Sequence, residues 1–224
     1  VHMIWRCHNG DFLLSSKKIK EKIIELYFKH KDKFEIDIID FQNLDNHSHW
    51  VLRAKNAKLL GDFARVVHSQ IASYVNKLHN RNSQVFRDRY KSPAVRDEKH
   101  LRRLIAYVIL NRTKADKKSR PENDPFCSAY HRLHKTKFGQ LLLKYSDLGL
   151  CEVGTDNKFL KQLIKTFIAN LLNDSPCFNQ ADFVNSFLVG SKSMVNTISK
   201  EISSRLKKHN GLSLDQCAFF TPLS

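Results

Sequence analysis

No stretch of the 224 residues approaches the roughly twenty consecutive apolar positions that a helix needs to cross a bilayer. The N-terminus also lacks the succession of charged, apolar and small residues that marks a secretory signal. A soluble intracellular protein is therefore expected. The five cysteines (Cys7, Cys127, Cys151, Cys177, Cys217) are odd in number, widely spaced and without a Cys-x-x-Cys pair. That argues against a disulfide framework and against a cysteine zinc site, and it fits a reducing compartment. No fixed-period internal repeat is present. The chain opens on Val1 without an initiator methionine and enters strand-like sequence at once. Native residues upstream, or processing at this point, are the expectation.

Acid is in short supply as well: 38 Lys and Arg stand against 22 Asp and Glu, giving a net charge of +16 and a pI near 9.7. In a soluble chain such an excess points to a polyanionic partner, and nucleic acid is the simplest one. The charge is not spread evenly. Residues 81–137 hold 16 Lys and Arg against 6 Asp and Glu, a net +10 of the total. A mass of 26.1 kDa allows one sizeable core with an appendage.

Residues 2–8 read as a strand closed by the Asn9-Gly10-Asp11 turn. Behind Ser15-Ser16, residues 17–30 form a basic amphipathic helix with Ile19, Ile23, Leu26 and Tyr27 on one stripe. Residues 34–41 and 47–53 read as two strands around a polar turn, and 55–79 as a long helix. Residues 85–95 are a basic, partly extended connector interrupted by Pro93. Asp97 and Glu98 open a further helix with Leu101, Leu104, Ile105 and Val108 inward, their acids complementing its N-terminal dipole. Residues 112–125 read as a surface loop, and the segments 138–145, 159–172, 180–188 and 193–206 as helices. The division expected is a domain over 1–137 and a helical extension over 138–224, whose role the pattern does not give.

Two elements carry chemistry. His47-Ser48-His49 opens a strand, where side chains two apart share a face, so both imidazoles point into one site and Ser48 and Trp50 point away. Tyr107 and Asn111 are four apart on a helix, which places a phenol and an amide oxygen on one edge. Two imidazoles and an oxygen can hold a divalent cation, and a tyrosine can attack phosphorus. Neither element is decisive alone. Eleven histidines make a chance His-x-His unsurprising, and a tyrosine on a helix flank is by default a core-edge residue. Tyr27, Tyr74, Tyr90, Tyr130 and Tyr145 compete with Tyr107. Tyr90 is the nearest rival, although Arg89-Tyr90-Lys91 suits base stacking or phosphate contact better. Arg87, Arg89, Lys91, Arg96, Arg103, Arg112 and Lys114 cluster around the tyrosine helix as a candidate backbone groove rather than a merely solvated face. Arg6, His8 and Asn9 end the first strand beside the histidine strand and are candidates for base contact. His131 and His134 resemble a ligand pair but have no neighbouring carboxylate or cysteine signature, and are expected at the surface. Cys7 is expected to be small core filler.

In order, the segments WRCHN (Trp5 to Asn9), NHSHWVL (Asn46 to Leu52), VFRDRYKS (Val85 to Ser92), AYVILN (Ala106 to Asn111) and FCSAYHRL (Phe126 to Leu133) resemble the single-tyrosine HUH transposases. Within these they look most like the REP-associated tyrosine transposases, relatives of the transposases of the smallest insertion sequences. The likeness covers about residues 2–134. It implies an α+β, ferredoxin-like antiparallel sheet backed by helices, and metal-dependent cutting of single-stranded DNA beside a hairpin, leaving a 5′-phosphotyrosine and a free 3′-hydroxyl. By position in the motifs, it implies His47 and His49 as metal ligands, Asn111 as the third, Tyr107 as the nucleophile, and Mg²⁺ or Mn²⁺ as cofactor, although the same donors also suit zinc. One departure stands out: Asn111 is followed by Arg112-Thr113 where relatives have Pro-Val, so nothing stops the helix at Asn111.

Single-stranded or hairpin DNA is thus the expected partner, with Arg6, His8, Asn9, Arg53, Arg87, Arg89, Tyr90, Lys91, Arg103, Arg112 and Lys114 as contacts. No membrane partner is expected, the location is cytoplasmic and with the nucleoid when on DNA, and monomer or homodimer stays open. The rival readings are a non-catalytic DNA-binding regulator on the same fold and a ferredoxin-like RNA-binding module. The second needs aromatics on the exposed sheet face, and Trp50 falls opposite the histidines.

Overall fold

The computed structural model describes residues 1–150 and 156–172. The helices expected over 180–188 and 193–206 lie outside the described residues. The elements run β1 (His2–Arg6), α1 (Lys17–His30), β2 (Ile36–Asn43), β3 (His47–Ala54), α2 (Ala57–Leu78), α3 (Glu98–Ala115), α4 (Ser128–Leu133), α5 (Lys137–Gln140) and α6 (Asp156–Leu172). No described helix is long and apolar enough to cross a membrane.

The sheet is antiparallel in the order β1-β3-β2, with the histidine strand in the centre. Beyond β1 the connector 85–93 forms an irregular outer edge. Ile4 pairs with Lys91 and Cys7 with Phe86, while the backbone N–H of His2 donates to Pro93 O at 3.0 Å and that of Arg87 to Arg6 O at 2.9 Å. Between the two pairings the connector has two more residues than β1, so Asp88 and Arg89 bulge outward. With this edge counted as a fourth strand, the order is 4-1-3-2, the β-α-β-β-α-β ferredoxin-like topology. The structure is α+β as expected, and the segment expected as a connector completes its sheet.

Each face of the sheet has its own cover. Met3, Trp5, Cys7, Phe41, Trp50 and Leu52 join buried residues of α1 and α2 in the main core. Tyr27 stacks on Trp50 at 3.5 Å, and Trp50 on Phe41 at 4.6 Å. Cys7 is fully buried, as core filler should be. α3 packs over β2 and β3 on the opposite face. Its start is capped by Asp97, whose carboxylate accepts from His100 N at 2.7 Å; α2 is capped by Asn56, which accepts from Leu59 N at 2.9 Å. α3 runs on past Asn111 to Ala115, as the missing proline allows, so the first residues of the expected 112–125 loop are helical.

Residues 138–145 are not a helix. α5 makes one turn, after which Leu143 N donates to Ile38 O at 2.8 Å, pairing the chain with β2 instead of with itself. A buried polar network fixes this detour. Asp40 accepts from Ser128 Oγ at 2.8 Å and Tyr145 Oη at 2.9 Å, while Arg132 donates to Ile39 O and Leu143 O. The first compact unit spans Val1–Lys161. A second unit begins at Gln162, within α6.

His68 on α2 yields a stability prediction. Its ring packs among Trp5, Phe86 and Tyr90, with Nε2 3.2 Å from the Tyr27 hydroxyl, and burial holds its pKa down to about 4. Above pH 6.5 both folded and unfolded states keep it neutral. Between 6.5 and about 4 the unfolded chain binds a proton that the folded chain refuses, so stability falls as pH falls. At ~1.4 kcal/mol per unit, trimmed for the ring's partial exposure, the loss is about 2 kcal/mol by pH 4.5. Urea unfolding at pH 7 and pH 4.5 should show His68→Phe losing less stability on acidification than wild type. Equal losses in the two proteins would refute this assignment.

Candidate active site

β3 supplies the centre of the site. Its register sets Arg6 opposite His47 and Ile4 opposite His49. Since directly opposed residues share a face, His2, Ile4 and Arg6 lie on the same side as the two histidines. Ser48 and Trp50 point to the other side, where the Trp50 indole donates to Ser48 Oγ at 2.7 Å. α3 then brings Tyr107 over the histidine face. The His47 and His49 rings are 5.0 Å apart, and the Tyr107 ring stands edge-on to His49 at 5.6 Å and to His2 at 6.1 Å. His49 is buried, whereas Tyr107 is 37% exposed, so the phenol can meet a large substrate while the imidazole beside it is sheltered.

The hydrogen bonds fix which nitrogens face the site. Asn46 Nδ2 donates to Gly10 O at 3.2 Å, which orients the amide and leaves its Oδ1 2.7 Å from His47 Nδ1. An amide oxygen only accepts, so His47 carries its proton on Nδ1 and presents a lone pair at Nε2. His49 Nδ1 lies 2.9 Å from His2 Nε2, and His49 Nε2 is buried with no hydrogen-bond partner. Burial, followed by the charges of His2, His47 and Arg6, holds the His49 pKa well below the usual value. Burial and then Arg6 lower that of His47, with Asp45 opposing, and burial above all lowers that of His2. Each of these shifts favours the neutral ring, the form in which an imidazole can bind a metal.

Among the described residues no group of three or more His, Cys, Asp or Glu is placed to hold a metal. The donor set expected here is different, two imidazoles and an amide. The orphaned His49 Nε2 and the outward lone pair of His47 fit it. Asn111 lies one turn beyond Tyr107 on α3 and is half-buried. Arg103 lies one turn before Tyr107, and its Nε is buried without a partner, so Arg103, Tyr107 and Asn111 form one line along the helix.

The remaining expected contacts divide. Arg6, Asn9, Arg87, Arg89, Lys91 and Lys114 are exposed. Lys91 pairs opposite Ile4 and so belongs to the histidine face. His8 and Asn9 form the tight turn after β1, with Asn9 at φ 51. Three others are committed elsewhere. Arg53 is six residues along β3 from His47, about 20 Å at strand rise, and donates to Asp37 at 2.8 Å. Arg112 pairs with the buried Asp124 at 3.7 Å. Tyr90 packs against the main core, edge-on to His68 at 5.8 Å, and is no open stacking platform. His131 is buried rather than at the surface: its Nε2 donates to Pro125 O at 2.9 Å and its Nδ1 accepts from Thr136 Oγ1 at 2.8 Å. His134 is exposed as expected. His2 and Asn46 were missed. The alternation His2, Ile4, Arg6 on a strand paired with β3 was the available signal.

Fold and site together define a ferredoxin-like α+β domain that sets a strand histidine pair against a helix tyrosine. Residues 1–110 match the family model described as "Transposase IS200 like". A solved structure of a REP-associated tyrosine transposase bound to a REP hairpin is similar at 15% identity and a TM-score of 0.45, covering 60% of this chain and 78% of that one. No curated protein matches the chain.

Proposed function

We propose that the protein cuts single-stranded DNA beside hairpin-forming repeats, becomes joined to the new 5′ end through Tyr107, and passes that end to another 3′-hydroxyl. One observation carries this reading: an exposed phenol stands against a buried, neutral imidazole whose ligand nitrogen has no hydrogen-bond partner. Tyr107 Oη attacks the phosphorus and gives up its proton to solvent. The P–O3′ bond breaks, and the 3′-oxygen leaves as a hydroxyl after taking a proton from water. One phosphate diester replaces another, so the step reverses with any suitable 3′-hydroxyl and needs no ATP. His47, His49 and Asn111 would hold a divalent cation, Mg²⁺ or Mn²⁺. Bound there, it would supply charge neutralisation at the scissile phosphate.

The protein's own side chains do the rest. Asn46 holds His47 in one tautomer, α3 fixes Tyr107 over the pair, and Arg103 stands ready for a phosphate oxygen. The exposed Arg87, Arg89 and Lys91 along the outer edge, with Lys114 on α3, offer backbone contacts that would grip a hairpin by shape and charge. The test is incubation with a pool of labelled, hairpin-containing single strands in Mn²⁺ or Mg²⁺, resolved on a denaturing gel. A metal-dependent covalent protein–DNA band is expected. Salt-sensitive binding with no such band would replace this reading with that of a non-catalytic DNA-binding regulator.

A further inference from the structure

We propose that His2 is the positioning residue for the buried ligand His49: its Nε2 accepts the Nδ1–H of His49 and so keeps the Nε2 of His49 unprotonated and facing the site. The inference rests on the metal reading given above and adds a residue to it. Most metal-bound imidazoles are oriented by a carboxylate, a carbonyl or water on their far nitrogen. His47 has the amide oxygen of Asn46 in that place, whereas His49 has another imidazole, His2, at 2.9 Å.

The sheet builds this contact. His2 pairs with Val51 and Ile4 with His49, so His2 and His49 are diagonal neighbours on one face. Their ring centroids are 5.1 Å apart with planes 24° apart, near enough to coplanar for an in-plane N–H···N bond. His2 is held in place by its backbone, whose N–H donates to Pro93 O at 3.0 Å. The direction of the bond follows from what surrounds each ring. With the proton on His2 Nε2, His49 would have to carry its own proton on a buried Nε2 that nothing accepts. With the proton on His49 Nδ1, that buried nitrogen is a lone pair, and the Nδ1 of His2 is not left buried and unpaired. The second arrangement is the one a ligand needs. His2 thus acts through His49, and the site is built from β1 as well as from β3 and α3.

Two measurements on the full chain test this. In metal-free wild type, nitrogen-15 NMR of the histidine rings should show His49 as the Nδ1–H tautomer; the Nε2–H tautomer overturns the proposal. In Mn²⁺ titrations, His2→Phe should bind tenfold to a hundredfold more weakly than wild type, the range typical of lost outer-shell partners. His2→Gln, whose amide oxygen can accept the same proton, should stay within about threefold. Wild-type affinity in a folded His2→Phe overturns the proposal. His47→Ala separates the two levels. If it loses Mn²⁺ while His2→Phe does not, only the role of His2 falls. If wild type and His47→Ala bind equally weakly, the metal reading falls and the role of His2 with it. Should His2→Phe fail to fold, the tautomer of His49 in wild type and in His2→Gln decides.

Discussion

Tyr107→Phe is expected to give no covalent protein–DNA band under any metal condition, while hairpin binding stays at the wild-type level. Phenylalanine keeps the ring that touches His49 and His2 and loses the one atom that can form the ester. Removing a covalent nucleophile lowers turnover on the order of 10⁴-fold or more, so any residual cutting should be invisible on the same gel. The cost to the fold is small, within about 0.5 kcal/mol, because the side chain sits on the outer edge of α3. Unchanged binding and melting would therefore make the lost band a chemical result rather than a structural one. Tyr90→Phe is the matched control. Tyr90 packs against His68 on the far side of the sheet and should cut normally. A band that survives in Tyr107→Phe and disappears in Tyr90→Phe would move the nucleophile and overturn the geometry proposed here.

Local rules decide the elements that were legible in the sequence. α1 has the bounds expected because its apolar stripe specifies it, even though Ser16 at its N-cap makes no side-chain capping bond. The histidine pair was legible because strand alternation fixes its face whatever the partners are. Tertiary contacts decide what was not. Residues 138–145 carry a helical pattern, yet the chain leaves α5 after one turn because Leu143 pairs with β2 and Arg132 takes the Leu143 carbonyl. Residues 85–93 have no clean alternation, since the bulge at Asp88 and Arg89 breaks it, and only the waiting edge of β1 makes them a strand. His131 gave no sign of burial, because its partners, Pro125 O and Thr136 Oγ1, are supplied by turns whose shape a residue pattern does not encode. Cation roles fared likewise. Arg53, Arg112 and Arg87 look alike as sequence, and their pairings with the carboxylates of Asp37, Asp124 and Asp88 show only once the chain is folded.

The other large effect is expected at His47, and it separates metal loss from unfolding better than His49 does. His49 is 2% exposed and bonded to His2, so His49→Ala opens a cavity and strands a buried imidazole. Lower stability would then confound lower activity. His47 is half-buried at the start of β3, and its side-chain bond goes to Asn46, which also holds Gly10 O. His47→Ala should therefore melt within a few degrees of wild type. Losing one of three ligands should cost about 3 kcal/mol at the transition state, roughly a hundredfold or more in the rate of adduct formation, with a matching fall in Mn²⁺ affinity. Metal-independent binding of hairpin DNA should persist and weaken steeply with salt, because it belongs to the basic edge and not to the metal. His47→Ala that forms the adduct at the wild-type rate would show that the pair is no metal site. Tyr107 would then be acting through the positive field of Arg103 and its neighbours alone.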